Sequence, residues 1–243
     1  MKSIELLQVN QLNAWYGGAH ILFDVHLQVA RGEVVALMGR NGAGKSTTLK
    51  SIVGLVDKTR GEILFRGKPI QGLASYKIAR QGLGYVPEER RIFADLSVDE
   101  NLRIGLQPPR QWEDGSTVAY WTPEKLFALF PNLAKMRQRP GTQMSGGEQQ
   151  MLSVARTLMG NPYLVLLDEP SEGVAPIIVD QMKEMVLQLK RQGVGVLLSE
   201  QNLDFVLAVA DRAYILEKGE VKFQGSIQEI QQDKAMAQYY LAL

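Results

Sequence analysis

Residues 34–46 constrain the fold more strongly than any other part of the chain. An unbroken apolar run, VVALM at 34–38, leads into GRNGAGKS at 39–46, which fits the phosphate-loop pattern G-x-x-x-x-G-K-[ST]. The apolar run is typical of a strand buried on both faces, and a helix is predicted to begin near Ser46. The segment therefore predicts the strand, loop and helix of a nucleotide-binding α/β core.

The residue types of this loop explain what it would bind. Glycines let the backbone approach an anion closely with successive N–H groups, and the helix that follows adds its positive N-terminal dipole. Lys45 would neutralise the terminal phosphates, and the Ser46 hydroxyl would ligate Mg²⁺. The residues predicted to contact a nucleotide here are Gly39, Arg40, Asn41, Gly42, Ala43, Gly44, Lys45, Ser46 and Thr47.

A second apolar strand, at 164–169, ends in two adjacent carboxylates within LVLLDEPS at 164–171. The carboxyl ends of parallel strands are where open α/β sheets bind ligands, which favours a site shared with the phosphate loop. Asp168 is predicted to hold Mg²⁺, directly or through water. Glu169 points elsewhere and is predicted to polarise an attacking water.

A third motif, MSGGEQQ at 144–150, opens a predicted helix over 149–159 and forms a second anion-binding helix start. The chain then has two phosphate-binding helix starts for one nucleotide. The simplest interpretation is that the second one grips a nucleotide held by another subunit.

The remaining pattern alternates strands and helices, which favours a mainly parallel sheet with helices on both faces. Several short strands are predicted before residue 37, and the stretch from about 75 to 157 reads as mostly helical. We therefore predict one domain over 1–243, with an α/β core of about 1–72 and 158–243 and an inserted helical lobe of about 73–157. Trp112 and Trp121 lie in a predicted surface loop and are expected to pack against the lobe.

Composition excludes several classes of protein. The formal net charge is +1, so no global basic field attracts nucleic acid or anionic lipid. The sequence contains no cysteine, which excludes disulfides and suits a reducing cytoplasm. No apolar run approaches the ~18 residues that span a bilayer, and the first residues lack a signal-peptide core, so a membrane role would come through a partner.

Taken together, these motifs resemble the ATP-binding cassette (ABC) ATPases over essentially the whole chain. The segments GTQMSGGEQQML, LLDEPSEGVAPII, YVPEERRIF and LLSEQN are most similar to one of the two ATPase subunits of bacterial branched-chain amino acid importers. The ATPases of urea importers are close cousins. The resemblance implies an α/β phosphate-loop NTPase core, mostly parallel with antiparallel N-terminal strands, and an inserted helical subdomain.

The resemblance also implies further site residues. Tyr16 matches the aromatic residue that stacks on adenine, and Glu88 stands where the family usually has a glutamine near Mg²⁺ and the permease contact. Residues 171–174 match a dimer-contact loop that often ends in aspartate, which is absent here, and Gln201 replaces the usual switch histidine. The residues that match the signature are Ser145, Gly146, Gly147 and Glu148, the last of which replaces a common glutamine.

Two of these departures bear on the rate of catalysis. A glutamine amide can donate to the γ-phosphate but cannot become cationic as histidine can, and Glu88 adds negative charge beside two carboxylates. One hypothesis is that the site on this phosphate loop binds ATP but turns over more slowly than its sister site. The alternative, held equally open, is that this branch uses Gln201 competently.

The function implied is an ATP-hydrolysing subunit that energises an importer, with ATP and Mg²⁺ as cofactors. Two cassettes, identical or sister chains, would close head-to-tail and drive two integral-membrane permeases through a groove near residues 88–100, on the cytoplasmic face of a bacterial inner membrane. A solute-binding protein would act indirectly, and no nucleic acid is expected. The alternatives are a urea or amide importer, an exporter, and an ABC ATPase outside transport, which typically has tandem cassettes or a coiled-coil insertion.

Overall fold

An antiparallel hairpin opens the part of the chain described by the computed structural model, residues 5–232. Strand β1 (Glu5–Tyr16) pairs with β2 (Ala19–Ala30). The prediction of short strands here is wrong, because each strand has 12 residues. Gln11 and Asp24 adopt left-handed backbone conformations (φ 51° and 46°) where the register shifts, and such bulges interrupt the period-two pattern.

The described residues form two β-sheets. The hairpin is extended by β4 (Lys58–Phe65) and β5 (Lys68–Pro69) into an antiparallel sheet of order β2-β1-β4-β5. The second sheet has the order β10-β9-β3-β8-β7-β6, with all neighbours parallel except β10. Its strands are β3 (Val34–Met38), β6 (Leu83–Val86), β7 (Leu164–Asp168), β8 (Gly195–Ser199), β9 (Arg212–Glu217) and β10 (Glu220–Ser226). The predicted α/β class with antiparallel N-terminal strands is confirmed.

Helices cover both faces of the parallel sheet. They are α1 (Lys45–Ile52), α2 (Ser75–Arg80), α3 (Val98–Gly105), α4 (Pro123–Leu129), α5 (Pro131–Ala134), α6 (Gly146–Leu158), α7 (Pro176–Arg191), α8 (Leu203–Val209) and α9 (Ile227–Gln232). One buried apolar cluster lies between the sheet and the layer that includes α6, α7 and α8. The other lies between the opposite face of the sheet, α1 and the antiparallel sheet. Alternate residues of β3 and β7 point into the two clusters, which is why these strands read as unbroken apolar runs.

The predicted helical lobe contains one element of the core. Strand β6 pairs with β7 at the edge of the parallel sheet, although it lies inside the predicted lobe of 73–157. The lobe boundaries stay a prediction, and residues 1–4 and 233–243 of the predicted core lie outside the described part. Trp121 is buried in the apolar cluster that includes α6, whereas Trp112 packs against Tyr163 of the core with ring centroids 5.0 Å apart. Between residues 5 and 232, no helix has the length and apolarity needed to cross a membrane.

Candidate functional site

The loop after β3 depends on glycine at two positions. Gly39 has φ 141°, and a Cβ there would lie 2.3 Å from the carbonyl oxygen of Leu216 in β9. Gly44, the residue before α1, has φ 110°, and its Cβ would lie 2.7 Å from the Leu22 side chain. The clash at Gly39 is with backbone, and both residues have φ values that side-chain-bearing residues rarely adopt, so the conformation of the loop requires glycine at both positions.

Lys45 lies beneath this loop in a buried ion pair. Its Nζ donates to the carbonyl of Gly39 at 2.9 Å and lies 3.1 Å from the Glu169 carboxylate. The side chains of Lys45 and Glu169 are only 5% and 6% exposed. Buried charges need partners, and each of these two is the other's principal one. The predicted phosphate-neutralising residue and the predicted base are therefore brought into direct contact.

Asp168, at the carboxyl end of β7, accepts three hydroxyl hydrogen bonds and is fully buried. Ser46 Oγ donates to Oδ1 at 2.9 Å, Ser199 Oγ donates to the same oxygen at 2.6 Å, and Tyr85 Oη donates to Oδ2 at 3.2 Å. Burial, and then the Asp168 charge, raise the pKa of Tyr85, so the phenol stays a donor. The hydroxyls of Ser199 and Tyr85 therefore hold the carboxylate in the orientation in which it accepts from Ser46.

These oxygen donors fit Mg²⁺. The ion favours hard oxygen ligands and is usually held by one or two carboxylates together with substrate phosphates. Asp168 supplies one carboxylate, and the Ser46 hydroxyl lies beside it. In the described part of the chain, no three His, Asp or Glu side chains form a metal-binding cluster, so a site made by protein acids alone is absent there. The remaining ligands would have to be phosphate or water oxygens.

Gln201, after β8, connects the loop to Glu169. Its Nε2 donates to Asn41 Oδ1 at 2.7 Å and to Glu169 Oε1 at 3.2 Å. Glu169 has a left-handed backbone (φ 47°), and its N–H donates to the carbonyl of Ser199 at 3.0 Å. A left-handed glutamate is uncommon, and the neighbouring strand fixes it by this bond. Asp168 and Glu169 therefore face different partners, as predicted from their adjacency.

A cleft of about 240 Å³ borders the loop, lined by residues 40–43 and 216–218. Strand β2 lies next to its rim, since the Phe23 N–H donates to the carbonyl of Gly219 at 2.9 Å. Tyr16 ends β1 at the hairpin turn and is 47% exposed. An exposed aromatic ring suits stacking on a base, but the contact of Tyr16 with adenine, like that of Thr47 with phosphate, stays a prediction.

Glu88 lies on the surface just beyond β6, among other acids. Burial, and then the charges of Glu172 and Asp168, raise the pKa of Glu88. The carboxylates that influence it come from β7, from the loop after it and from the neighbouring Glu89. The role of Glu88 as a metal ligand stays a prediction.

The Ser145 turn lies at the start of α6 and bonds mainly to itself. The Glu148 N–H donates to Ser145 Oγ at 3.4 Å, and the Ser145 N–H donates to the Glu148 carboxylate at 2.7 Å, which forms a capping box. Glutamate at 148 thus satisfies a backbone donor of the turn. Among the described residues, no hydrogen bond joins Ser145 or Glu148 to Lys45 or Ser46, and the N–H groups of Gly146 and Gly147 have no acceptor there.

Both glycines of this turn lie against other functional loops. A Cβ on Gly146 would lie 2.4 Å from a guanidinium nitrogen of Arg90, in the loop after β6. A Cβ on Gly147 would lie 3.2 Å from Ile178, at the start of α7 just after the predicted dimer-contact loop. The small size of the two glycines therefore allows three loops to meet at one surface.

Sequence reasoning assigned no role to four residues that the structure brings to these sites. Ser199 is paired in register with Asp168, so aligning the ends of the predicted strands would have indicated it. Tyr85 lies one residue before the end of β6, the strand on the other side of β7, and is in register with Leu166. Arg90 and Glu200 lie within the segments YVPEERRIF and LLSEQN, but nothing in those patterns shows their contacts. Burial raises the pKa of Glu200 to about 7.

Comparisons with known proteins agree with this geometry. The family model described as ABC transporter matches residues 22–172. The chain is 45% identical over 217 residues to the high-affinity branched-chain amino acid transport ATP-binding protein BraG of Pseudomonas aeruginosa, covering 89% of this chain and 91% of that protein. It is 38% identical over 240 residues to the lipopolysaccharide export system ATP-binding protein LptB of Escherichia coli K12, covering 97% and 96%.

A solved structure shares the fold over almost its entire length. An ATP-binding cassette of an ABC transporter in its ADP conformation superposes with a TM-score of 0.78 at 27% identity, covering 99% of this chain and 100% of that one. The likeness therefore extends over both sheets and the intervening helices.

Proposed function

Because the chain belongs to the ABC transporter family, we propose that it energises an importer of branched-chain or other hydrophobic amino acids. As a member of that family it is an ATP-hydrolysing transporter subunit, and such cassettes dimerise and work with membrane permeases. The observation that carries the uptake proposal is the 45% identity to BraG over nine-tenths of both chains. A second candidate, an exporter ATPase, is favoured by the 38% identity to LptB.

The phosphate loop would bind the triphosphate of ATP in this proposal. Residues 39–44 would offer backbone N–H groups, and the N-terminus of α1 would add its dipole. Lys45 would exchange its contact with Glu169 for the terminal phosphates. The buried Lys45–Glu169 ion pair supports this, since an arriving anion would both compensate the ammonium and release the carboxylate.

Glu169 would then orient and polarise the attacking water. Phosphoryl transfer needs little covalent chemistry from the protein, so positioning and charge neutralisation supply most of the rate. Gln201 lies within hydrogen-bonding distance of both Glu169 and the loop, which supports its role beside the γ-phosphate. Its amide would hold Glu169 and the phosphate loop in position relative to each other without adding a positive charge.

Asp168 and Ser46 would hold Mg²⁺, with Glu88 as a further residue of that shell. When bound, the ion would supply positive charge beside the β- and γ-phosphate oxygens. Tyr85 and Ser199 would keep the Asp168 carboxylate in place by donating to it. The chain's own contribution is therefore a carboxylate held in one orientation by several hydroxyl donors.

The second half of the ATP site would come from another chain. The Ser145 turn leaves the N–H groups of Gly146 and Gly147 without acceptors in the described chain, and it shares no bond with Lys45. These donors support a phosphate ligand brought by the opposing cassette. We infer that Ser145, Gly146, Gly147 and Glu148 grip ATP bound at the phosphate loop of a sister or identical subunit.

The proposed assembly has two ATPase chains, two integral-membrane permeases on whose cytoplasmic side the ATPases sit, and a solute-binding protein that acts indirectly. Exposed apolar side chains support a permease contact beyond β6, since Phe93 and Ile104 are 47% and 51% exposed. These residues lie in and just after the 88–100 segment that was predicted to form the groove. Nothing in this arrangement calls for nucleic acid.

Purification from native membranes tests the proposal. A tagged chain should bring down a second ATPase, two multi-span permeases and an amino-acid-binding protein. Recovery of lipopolysaccharide-export partners would favour the exporter, and recovery of urea-import partners would favour the cousin family. Recovery of ribosomes or DNA without a permease would contradict a transport role altogether.

A further inference from the structure

Glu200 is a buried carboxylate with no role in the function proposed so far. It lies between β8 and Gln201 and is 2% exposed. A carboxylate removed from water must have hydrogen-bond donors around it, since burying it without them costs several kcal/mol. Its position between two functional loops makes the identity of those donors informative.

The donors come from both loops. Oε2 of Glu200 accepts from the N–H of Ser171 at 3.2 Å, and Oε1 accepts from the N–H groups of Gln201 at 3.1 Å and Asn202 at 3.2 Å. Ser171 begins the predicted dimer-contact loop, and Gln201 is the predicted switch residue. One buried side chain therefore joins the surface where a second cassette would dock to the residue beside Glu169.

The connection continues into the phosphate-loop site. The Gln201 amide donates to Asn41 in the loop and to Glu169. A displacement of residues 171–174 that withdrew the Ser171 N–H would leave a buried oxygen unpaired, which is unfavourable. Residues 171–174 and the segment that carries Gln201 (residues 200–202, the switch segment) are therefore expected to move together rather than independently.

We propose that Glu200 is a positioning residue that couples engagement of the opposing cassette at residues 171–174 to the placement of Gln201 and Glu169. The proposal rests on the two-chain ATP site proposed above. It also fits the sequence of the loop, which lacks the aspartate that often ends it. A carboxylate from the neighbouring strand end ties this loop to the switch segment.

The substitution Glu200→Gln tests this with minimal change in shape. The amide keeps one carbonyl oxygen for Gln201 and Asn202 and turns the other position into a donor that opposes the Ser171 N–H. In the purified, assembled transporter, we expect kcat for ATP to fall about tenfold, as for a modest misplacement of catalytic groups. The KM for ATP and the affinity of the isolated chain for ADP should stay within about twofold, because the phosphate contacts are unchanged.

A matched control is Asp204→Asn, which removes an exposed carboxylate from the first turn of α8 without touching residues 171–174. Its kcat should equal that of the unmodified transporter. A thermal unfolding curve for each variant separates misplacement from loss of the fold. Equal kcat for Glu200→Gln and Asp204→Asn would overturn the proposal.

A double-mutant cycle with Gln201→Ala identifies the route of the effect. If Glu200 acts through Gln201, the Glu200→Gln change should lower kcat less than about twofold in the Gln201→Ala background. Fully additive losses would contradict the coupling. If Ser145→Ala lowers turnover while Glu200→Gln does not, only this inference fails; if Ser145→Ala is also neutral, the two-chain site itself fails.

Discussion

The phosphate-loop site and the Ser145 turn both place glycines at the start of a helix, yet they differ in how their polar groups are satisfied. Around the phosphate loop, Lys45, Asp168 and Glu169 are buried and bonded to residues from four separate segments. The Ser145 turn is bonded chiefly within itself, by its capping box with Glu148. The first region is a connected network, and the second is a local structure with donors left for a ligand.

This difference teaches how one family can divide a catalytic site between two chains. In the proposed function, the network would hold the nucleotide, the metal and the water-activating carboxylate in one protomer, where the sheet fixes the positions of its residues. The turn needs only a rigid helix start that can be carried to another molecule's ligand. Changes in the network should therefore alter the isolated chain, whereas changes in the turn should appear only after assembly.

The largest effect is expected for Glu169→Gln. The amide cannot polarise water as a carboxylate does, so kcat of the assembled transporter should fall at least ~100-fold, the usual scale for loss of a positioned base. Binding of ATP to the isolated chain should persist, because Lys45 and the loop remain. Single-turnover hydrolysis and equilibrium nucleotide binding measure the two quantities, and retained turnover would remove Glu169 from this role.

A smaller effect, on binding, is expected for Lys45→Ala. Loss of the ammonium removes a charge-assisted contact to phosphate worth about 2 kcal/mol, which corresponds to roughly 30-fold in affinity. Titration of the isolated chain with a fluorescent ATP analogue measures this change. Unchanged affinity would show that the loop backbone alone holds the phosphates.

The substitution Ser145→Ala should affect the assembled transporter and leave the isolated chain's nucleotide binding unchanged, the reverse of what Lys45→Ala should do. Nucleotide affinity of the isolated chain should not change, whereas ATP turnover of the assembled transporter should fall about tenfold, on the scale of one lost hydrogen bond to a charged group. Loss of the helix cap should also lower the free energy of unfolding by about 1 kcal/mol. A weaker affinity of the isolated chain would place the turn within its own chain's site.

A pH-dependent stability difference should distinguish the network from the turn. The folded-state pKa of Glu200 lies at about 7, above its ordinary value of 4.5, because burial and the Glu169 charge outweigh the N–H groups of Ser171 and Asn202. Burial of the protonated Glu200 side chain therefore contributes to the free energy of unfolding fully below pH 4.5, and this contribution is lost as the pH rises through 7. Glu200→Gln should therefore gain about 2 to 3 kcal/mol relative to the unmodified chain between pH 5 and 8.

Denaturant unfolding at several pH values measures this difference, with Asp204→Asn as the control for an exposed acid. If the difference in free energy of unfolding between Glu200→Gln and the unmodified chain did not change with pH, the pKa of Glu200 would be the same in the folded and unfolded states. The Ser145→Ala chain should show no comparable trend, since its lost bond is a cap rather than a buried charge.

The smallest effect is expected for Gln201→His in the assembled transporter. Histidine can carry a positive charge near the acidic groups. If the site on this phosphate loop turns over slowly because Gln201 cannot, the substitution should raise the ATPase rate about two- to threefold. An unchanged or lower rate would favour the alternative that glutamine serves this site competently. The measurement is steady-state phosphate release with matched protein amounts.

The positions of the two strands that carry the site could be predicted from sequence. The apolar run at 34–38 coincides with β3, and the strand predicted at 164–169 ends within one residue of β7, because unbroken apolar runs dominate both segments. The lengths of β1 and β2 could not be predicted, since bulges at Gln11 and Asp24 disturb the alternation. Contacts of Ser199, Tyr85 and Glu200 arise from strand register and loop packing, which a single sequence does not encode locally.

The central claim is that one ATP lies between two chains. A structure of the assembled transporter with ATP, prepared with Glu169→Gln to prevent hydrolysis, tests it most directly. We predict that each nucleotide at a Lys45-containing loop also contacts, through its γ-phosphate, the serine–diglycine turn of the opposing cassette. A nucleotide held by Lys45 and Ser145 of the same chain, or no nucleotide at either place, would contradict the account.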